Sequence, residues 1–188
     1  GNVFNRVVAS LAPIITEATD ALRNFVEMKI NDSGGIAQFS RDIAVNIVQA
    51  TKAIVSSFAA ISNSVINLSN KLGGVSHAYE KMFGDKETTE AVQKKIEKID
   101  DAILSTTKSM NSWWGVNEKS GREAIIMYQM QKEAFLDLID TGKTLGESTD
   151  IELFNVTPTM KSLDQLEAKL LKITTDNVSG DVTTTQTT

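Results

Sequence analysis

The sequence predicts an all-α fold built from long helices. Only 2 Pro and 11 Gly occur in 188 residues, which is few for a fold rich in loops or tight turns. One stripe of apolar residues takes ten steps over the 36 positions from residue 36 to residue 72, a mean spacing of 3.6 residues. A second stripe, over residues 92–113, repeats every 3.5 residues on average. These patterns favour elongated helices with coiled-coil segments, in an oligomeric bundle rather than a compact globule; the Ile-rich seams fit a trimeric bundle without requiring it.

Residues 1–33 read as an N-terminal helix that is kinked near Pro13. Proline lacks the amide donor that a helix interior uses, so we expect a kink or break there, with the main helix starting at Pro13. The run Asn31-Asp-Ser-Gly-Gly35 is expected to end this helix.

Residues 34–73 form the most regular stretch of the sequence. At 1.5 Å per residue, this stripe makes a rod of about 55 Å, longer than the roughly 40 Å diameter of a compact chain of this size. The stripe predicts a bundle or oligomer seam, and its members are Ile36, Phe39, Ile43, Ile47, Ala50, Ile54, Phe58, Ile61, Val65, Leu68 and Leu72.

The same helix contains 18 consecutive residues without a charge, between Lys52 and Lys71. That length reaches the threshold for a membrane-spanning helix, but eight of the 18 residues are Ser or Asn. Such polarity favours a helix packed in a soluble bundle, with entry into a membrane as the alternative. The residues that would meet lipid in that case are Ala53, Ile54, Phe58, Ile61, Val65, Ile66 and Leu68.

Residues 74–120 read as a linker around Gly73–Asp85 followed by a heptad helix over about Thr88–Ser112. Mixed charges at the outer positions are typical of a solvated helix face. The seam of this helix is weakened at Thr106 and consists of Val92, Ile96, Ile99, Ile103, Thr106, Met110 and Trp113.

Two adjacent tryptophans, Trp113 and Trp114, follow that helix. Neighbours on a helix point about 100° apart, so both cannot face one seam. Two interpretations of this pair stay open, packing in the core and contact with another molecule.

The remaining third of the chain divides into three parts. Residues 121–157 predict a helix over about Arg122–Asp140, with Lys132 in stripe register, followed by a loop or a short strand at Ile151–Val156. Residues 158–173 predict a helix that Thr157 caps and Pro158 opens. Residues 174–188 contain seven Thr and only two apolar side chains, so we expect a flexible tail.

Composition argues against most enzyme chemistry. The chain has no Cys and a single His, His77, which removes cysteine nucleophiles, zinc ribbons and His-pair metal sites. Gly142-Lys143-Thr144 lacks the earlier glycine of a phosphate-binding loop, because position 137 is Asp137. We therefore expect no enzymatic activity, no catalytic residues, no cofactor and no metal. A net charge of -5 likewise predicts no specific nucleic-acid binding.

Residues 4–72 resemble helical segments of tail tape measure proteins from long-tailed bacteriophages. The likeness lies in Leu11-Ala-Pro-Ile-Ile15 opening one helix and in Gly34-Gly-Ile36, followed by Phe39, opening another. The apolar stretch Ile43–Leu72, rich in Ser, Asn and Ala, completes it. The resemblance covers about the first 75 residues, and members of this family are usually several times longer. With Gly1 as the first residue and a Thr-rich end, we expect the chain to be the ordered portion of a longer protein.

The resemblance implies a structural virion protein in the lumen or tip of the tail. Such proteins set tail length, are ejected at infection and help form a DNA passage through the host envelope. The resemblance also implies a homotrimer, with tail tube and tail-tip or baseplate hub proteins as partners, and with the host membrane as a partner after ejection. The peptidoglycan-cleaving motif that some members carry is absent, so no enzymatic role is implied.

Two other classes of protein share parts of the pattern. A helical membrane-active protein, such as a pore-forming toxin or a secretion translocator, would also have an apolar helix flanked by coiled coils. A cytosolic coiled-coil scaffold would have the same heptad segments without a membrane role.

Overall fold

The computed structural model describes residues 2–32, 38–72, 75–114, 119–142 and 154–187, and at several helix ends it describes the backbone alone. Within these ranges the chain forms six helices and no strand, which confirms the predicted all-α class. The helices are α1 (Asn2–Asp32), α2 (Gln38–Leu72), α3 (Val75–Gly84), α4 (Lys86–Trp114), α5 (Lys119–Gly142) and α6 (Thr157–Thr187).

The long helices run back and forth beside one another. Asn46, near the start of α2, donates a hydrogen bond to Ser109, near the end of α4, so these two helices are antiparallel. Helix α6 is antiparallel to α2, because Phe154 meets Asn63 while Asp164, further along α6, meets Lys52. Helices α1, α2, α4, α5 and α6 therefore form an up-and-down bundle.

This arrangement reconciles a long rod with a folded chain. Helix α2 has 35 residues and is about 52 Å long. The other long helices lie along this rod rather than around it. The apolar stripes that the sequence offers as a seam meet each other within one chain, in a single hydrophobic core.

The expected break at Pro13 does not occur, and α1 begins at Asn2, well before the predicted start of the main helix. Core residues lie on both sides of the proline, since Leu11 and Ile15 are 3% and 1% exposed. Pro13 and Ala9 are both on the exposed face. The Ala9 carbonyl, which loses its helical donor at Pro13, can therefore be hydrated by water.

The predicted linker at Gly73–Asp85 contains a helix, α3, that the sequence pattern missed. Only Ala78 and Met82, four residues apart, are buried in its described part, which is too short a stripe to give a periodic signal. Asp85 separates α3 from α4 and accepts a hydrogen bond from the Thr88 hydroxyl at 2.5 Å. That bond, together with bonds from the backbone N–H groups of Glu87 and Thr88, lowers the pKa of the Asp85 carboxyl. Asp85 thus caps α4.

The start of α6 differs from the prediction by one position. The first helical backbone bond runs from the Met160 amide to the Val156 carbonyl, and the Asn155 side chain accepts the Thr157 amide at 3.1 Å. Asn155 rather than Thr157 therefore provides the capping oxygen.

No strand precedes α6 in the described residues, because 154–156 are irregular and 151–153 lie outside the description. Helix α6 continues through most of the predicted tail, to Thr187, and the flexibility of this segment stays a prediction. Extending an existing helix gains one hydrogen bond for each residue that is fixed, so it needs no new nucleation.

Gly121 allows α5 to cross α4 and α1 closely. A Cβ at this position would overlap the methyl group of Met110 and would lie 3.2 Å from its sulfur and 3.5 Å from Cδ2 of Phe25. We expect Gly121→Val to destabilise the fold by about 1–3 kcal/mol, because the added groups overpack this crossing. Gly84→Val is the control, since nothing lies within 4 Å of its Cβ. Urea unfolding followed by circular dichroism measures both, and equal effects would contradict the close crossing.

Candidate functional site: the enclosed helix α2

Helix α2 is the candidate site because it combines the charge-free stretch with the most central position in the bundle. The segment Arg41–Leu72 is long and apolar enough to cross a membrane, and it is the one such candidate among the described residues. Half of its most apolar window is buried inside the bundle. Core helices of soluble proteins also pass this test of length and composition, so the surroundings of α2 decide how it is interpreted.

Most of the predicted seam is buried by the chain itself. Leu68 is half-buried and Leu72 is 41% exposed, while Ile36 and the Phe39 side chain lie outside the described residues. The buried seam residues of α2 are Ile43, Ile47, Ala50, Ile54, Phe58, Ile61 and Val65.

The heptad seam of α4 belongs to the same core. Ile96 is half-buried, and the side chains of Trp113 and Trp114 lie outside the description, so their two interpretations stay open. The buried members of the seam are Val92, Ile99, Ile103, Thr106 and Met110. The two predicted seams, on α2 and on α4, therefore meet in the core of one chain.

The candidate lipid-facing residues of α2 are covered by protein. Ile54, Phe58, Ile61, Val65 and Ile66 are at most 1% exposed, whereas Ala53 and Leu68 are half-buried. Helices α1, α3, α4 and α6 pack against α2. Helix α5 reaches it through Phe135, whose ring meets that of Phe58 edge-on, with the centroids 6.3 Å apart. Every other helix thus contributes to the cover.

The hydroxyl groups of α2 bond mainly within the helix. Thr51 donates to the Ile47 carbonyl and Ser64 to the Ala60 carbonyl, each at 2.7 Å, and Ser56 donates to Ala53 at 3.3 Å. Such bonds satisfy a hydroxyl without a second helix. Ser69 is the exception, because its buried oxygen has no partner.

Three polar links attach α2 to the helices and chain around it. Lys52 pairs with Asp164 at 2.6 Å and with Glu167 at 3.7 Å, both on α6. Asn46 donates to Ser109 on α4, and Asn63 accepts the Phe154 amide at 3.0 Å. Asn46 and Lys52 lie outside the charge-free stretch and Asn63 lies within it, where most of the other buried contacts of the described residues are apolar.

The ion pairs at Lys52 raise the pKa of its ammonium group. The hydrogen bond from Lys52 to Asp164 is the main cause, and the charge of Glu167 adds to it, against a smaller opposing effect of burial. Because the pKa is raised by folding, the stabilisation is complete at neutral pH and is lost only as the pH rises through the folded pKa. The Lys52 side chain is 25% exposed, so water screens part of this interaction.

Two buried polar features on α5 were not predicted from the sequence. The Thr19 and Tyr128 hydroxyls share a buried hydrogen bond of 2.7 Å between α1 and α5, and burial raises the pKa of the Tyr128 phenol. Gln131 is 2% exposed, yet neither atom of its amide has a partner. In the sequence, the helical spacing of Tyr128, Gln131 and Phe135 (steps of 3 and 4) was the signal that could have indicated the burial of Gln131.

Ile125, Tyr128 and Phe135 are buried as the predicted stripe of α5 requires, but its assignment of Lys132 to the stripe is wrong. Lys132 is half-buried at the side of the helix, where it pairs with Asp100 on α4, and Gln131 occupies the core position instead. A lysine at the edge of a stripe can keep its ammonium group in water beside a carboxylate, which a core position does not allow.

No group of three or more His, Cys, Asp or Glu among the described residues is placed to hold a metal ion. The His77 side chain and residues 143–150 lie outside the description. What the site offers is a concealed apolar surface with few polar attachments.

We expect Gln131→Met to raise the free energy of unfolding by about 1–3 kcal/mol, because it removes two unsatisfied buried groups at nearly constant volume. Gln129→Met is the matched control on the exposed face of the same helix, and it should change stability little. Chemical denaturation measures both variants. A loss of stability in Gln131→Met alone would show that the amide has a partner.

No protein-family model matches this chain, and no match was found among curated proteins or solved structures. Its function is therefore inferred from the contacts described above together with the resemblance noted in the sequence.

Proposed function

We propose that the chain is a non-enzymatic structural segment of a tail tape measure protein, located in the lumen or at the tip of a phage tail. In this state the bundle keeps α2 covered. On ejection the bundle opens, and α2 enters the host envelope, where it helps to line a passage for DNA. Tail tube and tail-tip or hub proteins are the proposed partners in the virion.

The observation that carries the proposal is the enclosure of a charge-free helix by all the other helices. The 18 residues between Lys52 and Lys71 meet the length of a bilayer span. Four of their apolar side chains, Ile54, Phe58, Ile61 and Ile66, are among the largest fully buried side chains of the described residues. The charge-free stretch of α2 can move from the protein core into the lipid core of a membrane, because it contains no charge that needs a partner.

The backbone and hydroxyl hydrogen bonds of α2 are also compatible with its transfer from the bundle into lipid. All backbone bonds of an α-helix are made within the helix, so they persist in lipid. The hydroxyls of Thr51 and Ser64 bond to carbonyls of α2 itself and would also stay satisfied. Among the contacts of the described residues, those of Asn46, Lys52 and Asn63 would have to break.

The folded dimensions favour a compact unit in the tail over an extended ruler. A single continuous helix of 188 residues would be about 280 Å long, whereas the chain folds back on itself beside α2, which is roughly 52 Å long. We therefore assign this segment to the part of the tape measure protein that acts at ejection, and its share in tail length is small.

A helical membrane-active protein, a pore-forming toxin or secretion translocator, is the second candidate. The single candidate membrane span in α2 favours it. The two functions differ in their trigger: a toxin opens at the membrane by itself, whereas the virion segment stays closed until it is ejected.

The first test asks whether α2 has to leave the bundle before a membrane is breached. Because the chain has no Cys, the pair Asn46→Cys and Ser109→Cys can be joined by a short bismaleimide, which ties α2 to α4. Vesicles of phosphatidylethanolamine and phosphatidylglycerol loaded with a fluorescent dye report leakage. We expect the native chain to cause no leakage, the chain loosened in urea at its unfolding midpoint to cause leakage, and the cross-linked chain to cause none after the same treatment.

The matched control joins two covering helices and leaves α2 untied. Asp100→Cys with Lys132→Cys links α4 to α5 at the site of their ion pair, and leakage after loosening should persist. Equal leakage from both cross-linked chains would contradict release of α2. Leakage by the untreated native chain would favour the toxin or translocator.

The second test concerns the virion. In the phage whose genome encodes the parent protein, mass spectrometry of purified particles should find peptides of this chain in filled virions. The same peptides should be depleted in particles that have ejected their DNA, because the segment leaves with it. Absence from filled virions, or full retention after ejection, would rule out the proposed role.

A further inference from the structure

The outer face of α5 carries an ordered pattern of charge that the enclosure of α2 does not use. Six exposed residues follow one another at steps of 3, 4, 4, 3 and 4, so they form one stripe on the face opposite the core residues Tyr128 and Gln131. The stripe, called the α5 outer stripe below, consists of Lys119, Arg122, Ile126, Met130, Glu133 and Asp137. It is basic at one end, apolar in the middle and acidic at the other end.

The apolar middle of the stripe is unusually open to solvent. Ile126 is 51% exposed and Met130 is 63% exposed, the latter being the most exposed large apolar side chain among the described residues. Beside Ile126 lies a groove of about 240 Å³ between α4 and α5, with Thr107 on one wall and Gln129 on the other. The groove offers space for a side chain that arrives from outside.

The order of the charges disfavours α5 as an isolated helix. Helix N-termini favour acidic residues and C-termini favour basic ones, because of the helix dipole. Helix α5 begins with Lys119 and Arg122, and its last turn has no basic residue. The salt bridges among the described residues involve none of the four charges of the stripe. Ion pairs among the described residues therefore do not explain why the stripe is basic at its start and acidic at its end.

The order of charges along the α5 outer stripe is complementary to that of a second copy that runs in the opposite direction. If residue i faces residue 256 − i of a second helix, Lys119 faces Asp137 and Ile126 faces Met130, while Arg122 falls within one residue of Glu133. Two antiparallel copies would then bring each basic end against an acidic end, with the apolar side chains meeting in the middle. The opposed helix dipoles would also be favourable in that arrangement.

We propose that the α5 outer stripe is a self-association surface, on which α5 of a second copy of this chain docks antiparallel about a two-fold axis at the level of Tyr128. Charge complementarity under reversal is what selects a second copy as the occupant. The interface is independent of the release of α2 and goes beyond the proposed function. It differs from a parallel trimer, which would set like charges side by side.

The size of the stripe predicts a weak dimer. From Lys119 to Asp137 the stripe is about 27 Å long, and a single pair of helices of this length falls at the lower end of specific interfaces. The association should weaken as salt is added, because exposed ion pairs are screened.

Sedimentation equilibrium of the full chain over a range of concentrations at low salt tests the proposal by charge exchange. Arg122→Glu and Glu133→Arg should each weaken self-association about tenfold, because the two-fold axis turns two attractive pairs into two repulsive ones. An equimolar mixture of the two variants should recover the wild-type affinity, since the mixed pair restores both attractions. Circular dichroism of each variant checks that the fold is retained.

The apolar centre is tested by Met130→Ser, which should abolish the dimer. Leu171→Ser is the matched control on α6, where Leu171 is 45% exposed outside the stripe, and it should leave the dimer unchanged.

Cysteine cross-linking tests the direction of the pairing in this Cys-free chain. Gln129→Cys lies beside the proposed axis and should form a disulfide-linked dimer under mild oxidation. Lys119→Cys should not, because two copies of residue 119 would be about 27 Å apart in the antiparallel pair.

Four results would overturn the proposal: a wild-type monomer at every concentration, no recovery in the mixed variants, a dimer that tolerates Met130→Ser, or efficient cross-linking through Lys119→Cys. A concentration-dependent trimer, or binding of the monomer through Ile126 and Met130 to phosphatidylglycerol vesicles without dimerisation, would also overturn it.

Discussion

The apolar contact around α2 is the interaction on which the rest of the fold depends. Its stripe is broad enough to serve several neighbours, because residues on more than one side of the helix are buried, among them Ile47, Val55 and Ile66. Helices α3, α4 and α6 pack against α2, whereas α1 packs mainly against α5. Removing α2 would leave α1 and α5 packed on each other but would uncover most of the apolar faces of α4 and α6.

Polar groups fix how the helices sit without providing most of the stability. The bonds of Asn46 to Ser109 and of Thr19 to Tyr128 each connect two helices at one height and so define their register. Gln131 shows the opposite case, a buried amide that nothing satisfies and that reduces stability. A bundle held by apolar contact and pinned at few points can open without breaking many strong bonds. That balance suits a chain whose proposed task requires a change of state.

The two proposed surfaces differ in where they lie. The face of α2 is hidden in the folded chain and would act only after the bundle opens. The α5 outer stripe is exposed in the folded chain and would act before that, between copies.

The sequence alone determined the helical class, the long helix α2 with its charge-free centre, and the buried face of α4, because helical periodicity is a local property that a single chain records directly. It did not locate α3, whose stripe has only Ala78 and Met82 in its described part, and it placed Lys132 rather than Gln131 in the core. It also could not say that the two main stripes meet within one chain, since a stripe shows that a face is buried but not which surface buries it. That choice, and the continuity of α1 through Pro13, depended on which faces point to water once the helices pack. Only the tertiary structure decided them, because partners distant in sequence leave no periodic trace.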